Sequence, residues 1–189
     1  MPLPNGKITM IVGPMGSSKT TTLISYAKRF QVAKKNVIII KYAKDNRYEN
    51  SINLITHDKN TYEPTFQTNT LFSLETENLE TLMNSNNILI DEAQFFPDLV
   101  SFCDKYADLG KTIVVAGLDS DYERKPFQVI CNLVAIADDV IKLKAVCTLC
   151  GFDDAIFTKR LVANTEKELI GGMDSYTPNC RSCHAKQIP

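Results

Sequence analysis

Short runs of β-branched and other aliphatic residues recur along most of the chain, and each is long enough for one strand. Runs that are apolar throughout are typical of strands buried on both faces of a parallel sheet. Segments with apolar residues at helical spacing separate them, and this alternation predicts an α/β fold, a mostly parallel sheet flanked by helices. The predicted strands are residues 8–12, 37–41, 88–91, 112–117 and 140–143.

Four segments between the predicted strands have the apolar spacing of helices. Two of them are residues 20–32 and 75–83. The other two are defined by the apolar positions Leu99, Phe102, Cys103 and Tyr106, and by Val129, Ile130, Leu133 and Val134. Cys103 and Cys131 fall on these helices, and both are predicted to be core residues.

Two segments fall outside the alternation of strand and helix. Residues 42–66 are polar and too long for an ordinary connection, which predicts a hairpin or a mobile loop beside the site. After residue 143 the apolar runs become shorter, and the glycine pair at 171–172 suits a loop better than another strand of the sheet. We therefore expect a main α/β domain over residues 1–143 and a small lobe over residues 144–189.

Composition and charge narrow the class of protein. With 44% hydrophobic residues, 23% charged residues and a net charge of -1, the chain resembles ordinary soluble proteins and has no basic excess to attract nucleic acid. We find no apolar leader and no window near the roughly 18 apolar residues of a membrane span, so we expect a cytoplasmic protein without a membrane partner. Cysteines stay reduced there, so clustered cysteines indicate a metal before disulfides.

The segment after the first predicted strand has the pattern of a phosphate-binding P-loop. In such a loop, backbone N–H groups converge on phosphates at a helix N-terminus, a lysine reaches the β and γ oxygens, and a hydroxyl ligates Mg²⁺. Ser18 stands where the usual motif has its second glycine, and the alternative interpretation is a Gly-Ser turn before a helix with an exposed lysine. The candidate nucleotide-binding residues are Gly13, Pro14, Met15, Gly16, Ser17, Ser18, Lys19 and Thr20.

An acidic pair ends the predicted strand 88–91. An acid at the carboxyl end of a parallel strand faces the crevice where ligands bind. Asp91 is therefore a candidate to hold Mg²⁺, directly or through water, and Glu92 is a candidate to take a proton from an attacking hydroxyl. A solvated acidic turn is the alternative, but the pair together with Lys19 favours the chemistry of a Mg-nucleotide.

Four cysteines in the last segment form two C-x2-C pairs, which is a strong zinc pattern. Four thiolates close a tetrahedral Zn²⁺ and leave no open position, so the metal should be structural rather than catalytic. Disulfides and haem attachment through residues 180–184 are the alternatives, and the expected compartment disfavours both. The candidate zinc ligands are Cys147, Cys150, Cys180 and Cys183.

Seven stretches and the cysteine pairs occur in the order seen in the type II thymidine kinases, and the chain resembles that family over nearly its whole length. The stretches are residues 13–15, 41–48, 56–58, 91–97, 125–127, 158–160 and 170–172. The resemblance implies an ATP-dependent kinase that phosphorylates the 5′-hydroxyl of thymidine in nucleotide salvage, with deoxyuridine as a poorer substrate. It also implies a homotetramer inhibited by thymidine triphosphate, dTTP.

The resemblance further implies roles for individual residues. Lys19 and Thr20 would handle phosphate and Mg²⁺, Asp91 would support that metal, and Glu92 would be the catalytic base. Independently of the resemblance, phosphoryl transfer favours an arginine that offsets charge on the transferring group; Arg160 is the candidate catalytic arginine, and Arg124 is the alternative. A lasso-like loop at about residues 160–176 would cover the thymine, and the implied pocket residues are Met15, Phe95, Leu118, Tyr122, Thr158, Leu169, Ile170 and Tyr176.

The chain departs from the family pattern at four positions, which are Gly16, Ser18, Ala93 and Asp121. Ser18 matters most because its side chain occupies a crowded point of the loop. One alternative function is therefore a nucleotide-binding regulatory protein that has lost catalysis. Another is a P-loop nucleoside triphosphatase whose zinc lobe binds a macromolecule through a modest basic cluster, namely Lys142, Lys144, Lys159 and Arg160.

Overall fold

The computed structural model describes residues 6–44, 54–55, 61–152, 154–162 and 175–186, and twelve strands lie within these ranges. In chain order they are β1 (Lys7–Val12), β2 (Val37–Tyr42), β3 (Leu54–Ile55), β4 (Thr61–Tyr62), β5 (Phe66–Thr68), β6 (Asn87–Ile90), β7 (Thr112–Gly117), β8 (Asp139–Lys142), β9 (Ala145–Val146), β10 (Asp154–Ala155), β11 (Phe157–Arg160) and β12 (Tyr176–Asn179). The five predicted strands correspond to β1, β2, β6, β7 and β8.

Six α-helices and one 3₁₀ helix complete the described part of the chain. They are α1 (Lys19–Val32), α2 (Ser73–Glu77), α3 (Leu79–Asn84), the 3₁₀ helix Ala93–Phe95, α4 (Leu99–Asp108), α5 (Gln128–Val134) and α6 (Arg181–Ala185). The predicted helix 75–83 is in fact two short helices, because the chain leaves helical geometry at Asn78, where φ is -143°. None of the described helices is both long and apolar enough to cross a membrane.

A six-stranded sheet in the order β5-β2-β6-β7-β1-β8 forms the centre of the molecule, and every neighbouring pair is parallel. This confirms the predicted α/β fold. Val12 pairs with Gly117, and Ile90 pairs with Val115. The segments that follow β1, β6 and β7 therefore leave the same edge of the sheet, which is where ligands bind in open α/β folds.

Successive residues of the central strands point to opposite faces of the sheet, and each face has its own hydrophobic layer. On one face, Leu23, Ile24 and Ala27 of α1 pack over buried strand residues that include Ile11 and Val114. The other face is covered by residues of α2 to α5, among them Phe102 and Leu133. This two-sided burial explains why the strands read as continuous apolar runs.

The two cysteines predicted to lie in the core behave differently. Cys103 is fully buried in α4, and burial raises the pKa of its thiol well above the ordinary value. Cys131 is exposed, so that prediction is wrong. The reason is that α5 is short and packs through Ile130 and Leu133, which leaves Cys131 on the solvent side.

Residues 144–189 contain strands that the sequence analysis did not predict. β9 pairs with β10, and β11 pairs with β12, each in an antiparallel sheet of two strands. None of these four strands joins the central sheet. In the polar segment, β3 and β4 form an antiparallel pair consistent with the predicted hairpin, while β5 joins the central sheet beside β2 and was missed.

A buried lysine ties the start of β7 to the end of α3. Lys111 is 7% exposed, and its Nζ donates hydrogen bonds to the carbonyls of Met83 at 2.8 Å and Ser85 at 2.6 Å. Burial lowers the pKa of Lys111, since the charged form loses its water. The ammonium group thus satisfies carbonyl groups at the end of α3 that have no partner within the helix.

Replacing Lys111 by Met should lower the free energy of unfolding by about 1.5–3 kcal/mol, because the carbonyls lose a charged donor while the apolar stem is kept. Urea unfolding measures the change. Lys28→Met is the control, because Lys28 is exposed on α1. Equal effects of the two substitutions would contradict the capping role of Lys111.

Candidate active site

The predicted P-loop connects the end of β1 to the start of α1, and its backbone follows a tight path. Gly13 has φ 153° and Gly16 has φ 72°, both in the region that favours glycine. A Cβ at Gly13 would lie 2.5 Å from the carbonyl oxygen of Leu143. Inside the loop, Ser17 Oγ and Lys19 Nζ both donate to the carbonyl of Pro14, at 2.8 Å and 2.7 Å. The loop is closed on itself and ends at a helix N-terminus.

Ser18 is the N-cap residue of α1 and has a left-handed backbone, with φ 62° and ψ 30°. Its side chain makes no capping hydrogen bond, so it gives no local compensation. A residue other than glycine pays about 1–2 kcal/mol for this conformation. The left-handed geometry explains why the usual motif has glycine here.

Substituting Ser18 by Gly should raise the free energy of unfolding by about 1 kcal/mol, because relief of the strain exceeds the added freedom of the unfolded chain. Thermal or urea unfolding measures it. Ser17→Gly serves as the matched control and should destabilise the protein, since Ser17 is buried and donates to Pro14. A stability loss in both variants would contradict the strain at Ser18.

Thr20 and Asp91 come together from two different elements. Thr20 Oγ1 donates to the carboxylate of Asp91, at 3.0 Å from Oδ2 and 3.3 Å from Oδ1. Asp91 directly follows β6 and is only 4% exposed. A hydroxyl and a carboxylate oxygen are hard donors of the kind Mg²⁺ prefers, so this pair fits the ion that the sequence predicts.

Glu92 lies next to this pair in a strained and buried position. It is 7% exposed and has φ 52° and ψ 40°, at the N-terminus of the 3₁₀ helix Ala93–Phe95. Gln94 Nε2 donates to Glu92 Oε2 at 2.7 Å. Strain of this kind costs on the order of 1–3 kcal/mol and gathers at functional sites. The sequence analysis gave Gln94 no role, although it lies in the acidic motif that was singled out.

Aromatic rings cluster beside the acidic residues. The Phe95 ring stacks on Tyr42 with centroids 5.1 Å apart, and it meets Phe127 edge-on at 6.4 Å. The sequence analysis did not name Tyr42 as a site residue, and its place at the carboxyl end of β2 is the signal that could have found it. Leu118 immediately follows β7 at the same edge of the sheet.

The P-loop is hydrogen-bonded to the small lobe. The backbone N–H of Met15 donates to Thr158 Oγ1 at 3.0 Å, and Thr158 is buried in β11. Two residues predicted for the pocket thus touch each other although they are far apart in the sequence. Leu169 and Ile170, the loop residues predicted for the pocket, lie outside the described residues, as do residues 163–174 as a whole.

Arg160 lies between two tyrosines. Its guanidinium carbon is 3.8 Å from the centroid of the Tyr122 ring, and its Nη2 donates to the Tyr176 hydroxyl at 2.7 Å. Arg160 pairs with Tyr176 in the β11–β12 register, which fixes this contact. Three residues predicted for the site therefore form one cation–aromatic cluster.

Asp121, one of the departures from the family pattern, organises the turn before α5. Its Oδ1 accepts hydrogen bonds from the backbone N–H groups of Glu123 and Lys125, both at 2.9 Å. The same carboxylate therefore helps to fix the backbone next to Tyr122. The negative charge of Asp121 is therefore stabilised within the turn by these two N–H donors.

The basic residues proposed for a macromolecular surface have separate partners. Lys142 pairs with Asp119 and Lys144 pairs with Asp154, each at 2.8 Å. Lys159 donates to carbonyl groups at and beyond the end of α6. Arg160 is held by the tyrosines described above. This spread of partners does not favour a nucleic-acid surface.

The four predicted zinc ligands converge in the lobe. The Sγ atoms of Cys147, Cys150, Cys180 and Cys183 all lie within 4.8 Å of one another. Zinc–sulfur bonds of about 2.3 Å place tetrahedral thiolates roughly 3.8 Å apart, so the cluster fits a zinc ion after a small contraction. The backbone N–H of Cys183 donates to Cys180 Sγ at 3.4 Å, which orients that ligand.

The cysteines of the cluster differ in how readily they ionise. Burial opposes ionisation of Cys147, but hydrogen bonds from the backbone at residues 180, 150 and 149 lower its pKa to about 6. A hydrogen bond to Cys180 and burial raise the pKa of Cys183 to about 12. Four thiols this close do not all ionise unless a cation compensates their charge. A metal ion held by the four cysteines would supply that compensating charge.

A P-loop at the end of β1, with a buried acidic pair at the end of β6, defines the molecule as a protein of the P-loop class, and its small lobe has a cysteine cluster that could hold a metal. The family model described as "Thymidine kinase" matches residues 6–184. The chain therefore belongs to the thymidine kinase family.

Individual relatives agree with this assignment. "Thymidine kinase 1" of Dictyostelium discoideum is 46% identical over 95% of this chain and 78% of its own length. "Thymidine kinase, cytosolic" of Homo sapiens is 47% identical over 96% of this chain and 74% of its own length. "Thymidine kinase" of Vaccinia virus, strain Ankara, is 45% identical over 95% of this chain and 97% of its own length. Among solved structures, the archaeal flagellar accessory protein FlaH of Methanocaldococcus jannaschii has a TM-score of 0.49 and 14% identity, over 87% of this chain and 76% of its own.

Proposed function

We propose that the protein transfers the γ-phosphoryl group of ATP to the 5′-hydroxyl of thymidine and so forms thymidine monophosphate in nucleotide salvage. The observation that carries this proposal is the meeting of Thr20, Asp91 and Glu92 at the sheet edge where the P-loop begins, in a chain of the thymidine kinase family. Phosphoryl transfer needs a phosphate cradle, a metal-supporting acid and a base, and the site offers all three.

Each group has one task in the reaction. The backbone of the P-loop and the Lys19 ammonium bind the phosphates, with Thr20 and Asp91 as the residues that hold Mg²⁺. Mg²⁺ held by these residues would neutralise the negative charge of the phosphates. The thymidine oxygen bonds to the γ-phosphorus while the bond to the bridging oxygen of ADP breaks. Glu92 takes the proton that the hydroxyl releases.

The nucleoside pocket in this proposal lies between the aromatic cluster and the lobe. Phe95 and Tyr122 would pack against the pyrimidine faces, and Arg160 would offset charge near the phosphoryl group. An apolar contact to the thymine methyl group, with water excluded, favours thymidine over deoxyuridine by about 1–3 kcal/mol. Deoxyuridine should therefore be a weaker substrate. The remaining proposed pocket residues are Met15, Leu118, Thr158, Tyr176 and, from the loop, Leu169 and Ile170.

The zinc in this proposal is structural and holds the base of the substrate loop. Residues 144–189 would then act as the substrate lobe, and residues 1–143 as the nucleotide-binding domain. We also propose a cytoplasmic homotetramer that dTTP inhibits and that binds neither nucleic acid nor membranes. The name of the human relative, "Thymidine kinase, cytosolic", supports the compartment.

The test is formation of labelled thymidine monophosphate from ATP and thymidine by the zinc-loaded protein, beside the Ser18→Gly variant. We expect product from both proteins and faster ATP consumption when thymidine is added. The strained Ser18 motivates one competing function, a nucleotide-binding regulator. That function predicts ATP binding by the natural protein with product from the Ser18→Gly variant alone. Absence of product from both would overturn the kinase proposal.

A further inference from the structure

Gln94 is buried beside the proposed base, and both ends of its side-chain amide are hydrogen-bonded. It is 6% exposed and lies in the middle of the 3₁₀ helix. Its Nε2 donates to Glu92 Oε2 at 2.7 Å, and its Oε1 accepts from the backbone N–H of Leu118 at 3.0 Å. The amide therefore connects the segment after β6 with the end of β7.

The Leu118 contact decides which end of the amide faces Glu92. A backbone N–H can only donate, so it must meet the amide oxygen, and the NH₂ group is then directed at the carboxylate. A hydrogen bond to a carboxylate is roughly twice as strong as one between neutral groups. Gln94 therefore orients the Glu92 carboxylate through a charge-assisted hydrogen bond to its Oε2.

The position of the amide is fixed by close packing around Gly117. A Cβ on Gly117 would lie 3.0 Å from Gln94 Oε1 and 3.1 Å from Ile130 Cδ1. Ala93, between the two polar residues, is fully buried. The Gln94 amide that contacts Glu92 is thus held between packed elements.

We propose that Gln94 is a positioning residue that holds the Glu92 carboxylate in the orientation needed to accept the 5′-hydroxyl proton. This role rests on the proposed kinase function. Gln94 acts through Glu92, so it should affect kcat and leave the binding of both substrates unchanged. Misplacing a catalytic group by about 1 Å can lower the reaction rate about 100-fold, and this sets the size of the fall in kcat that we expect.

Two substitutions at Gln94 test the role. Gln94→Glu keeps the shape and the bond to Leu118 but sets a second carboxylate against Glu92. Gln94→Met removes both hydrogen bonds at similar volume. We expect kcat to fall about 10- to 100-fold in each, with KM for ATP and for thymidine within about twofold of the natural protein. Gln128→Met is the control, since Gln128 is exposed on α5.

A double-mutant cycle separates positioning from general destabilisation. In a Glu92→Gln background, Gln94→Met should lower kcat by less than about threefold, because residues that act as a unit are not additive. Gly117→Ala gives an independent test, since its Cβ displaces the amide without removing it, and it should also lower kcat at unchanged KM. Melting temperatures of all variants show whether each is folded.

Four outcomes would overturn this inference. Full kcat in the Gln94 variants, or a Gln94→Met loss that is undiminished in the Glu92→Gln background, would remove the positioning role and leave the kinase function intact. Parallel changes in KM and kcat would show that Gln94 supports the pocket instead. A natural protein without product would overturn the kinase function and this role together.

Discussion

Replacing Glu92 by Gln is expected to lower kcat by about 100- to 10,000-fold, the range in which a general base contributes to catalysis. The substitution keeps the shape of the side chain and removes its ability to take a proton. In the proposed mechanism ATP binds through the P-loop, so the dissociation constant of ATP should stay within about twofold of the natural value. Labelled-product assays and calorimetric titration measure the two quantities separately.

Glu80→Gln provides the control for charge, because Glu80 is exposed on α3. It should have natural kcat and natural ATP affinity. If Glu92→Gln weakened ATP binding as much as it lowered turnover, the carboxylate would be part of the nucleotide site and not the base.

Loss of one cluster cysteine, as in Cys183→Ser, is expected to have the largest effect on stability. The natural protein should carry about one zinc ion per chain, and the variant close to none. Because metal binding is linked to folding, losing a tightly bound ion removes about 4 kcal/mol or more and lowers the melting temperature by roughly 10 °C. Metal analysis and thermal unfolding measure both changes.

Cys131→Ser is the matched control, because Cys131 is exposed and lies outside the cluster. It should keep the zinc and the melting temperature. Treating the natural protein with a strong chelator should reproduce the Cys183→Ser result. A chelated protein with an unchanged melting temperature would contradict a structural metal.

The central strands could be predicted because burial on both faces leaves a continuous apolar run. β1 and β7 agree with their predicted bounds to within one residue. β5 has only three residues, with exposed Gln67 in the middle, so its sequence carries no such run. It pairs only with β2, and this pairing depends on tertiary structure. The strands of the lobe are also short, so their sequences carry no continuous apolar run, and they were missed for the same reason.

The candidate site could be predicted where its residues follow directly from a strand end. Asp91 and Glu92 lie together because they are adjacent in sequence at the end of β6. Contacts between distant segments, such as Gln94 with Leu118, depend on which strands are neighbours in the sheet. Pattern and spacing along the chain do not contain that order, and so these partners came from the structure.

The order of strands also affects how the protein folds during its synthesis. β1 leaves the ribosome first, yet its two partners, β7 and β8, lie far later in the chain. Pairings between distant segments form slowly because a long loop must close before any contact stabilises it. The P-loop at the end of β1 therefore gains its supporting neighbours only after the chain has been made as far as β8. Nucleotide binding should not appear in the nascent chain before that point.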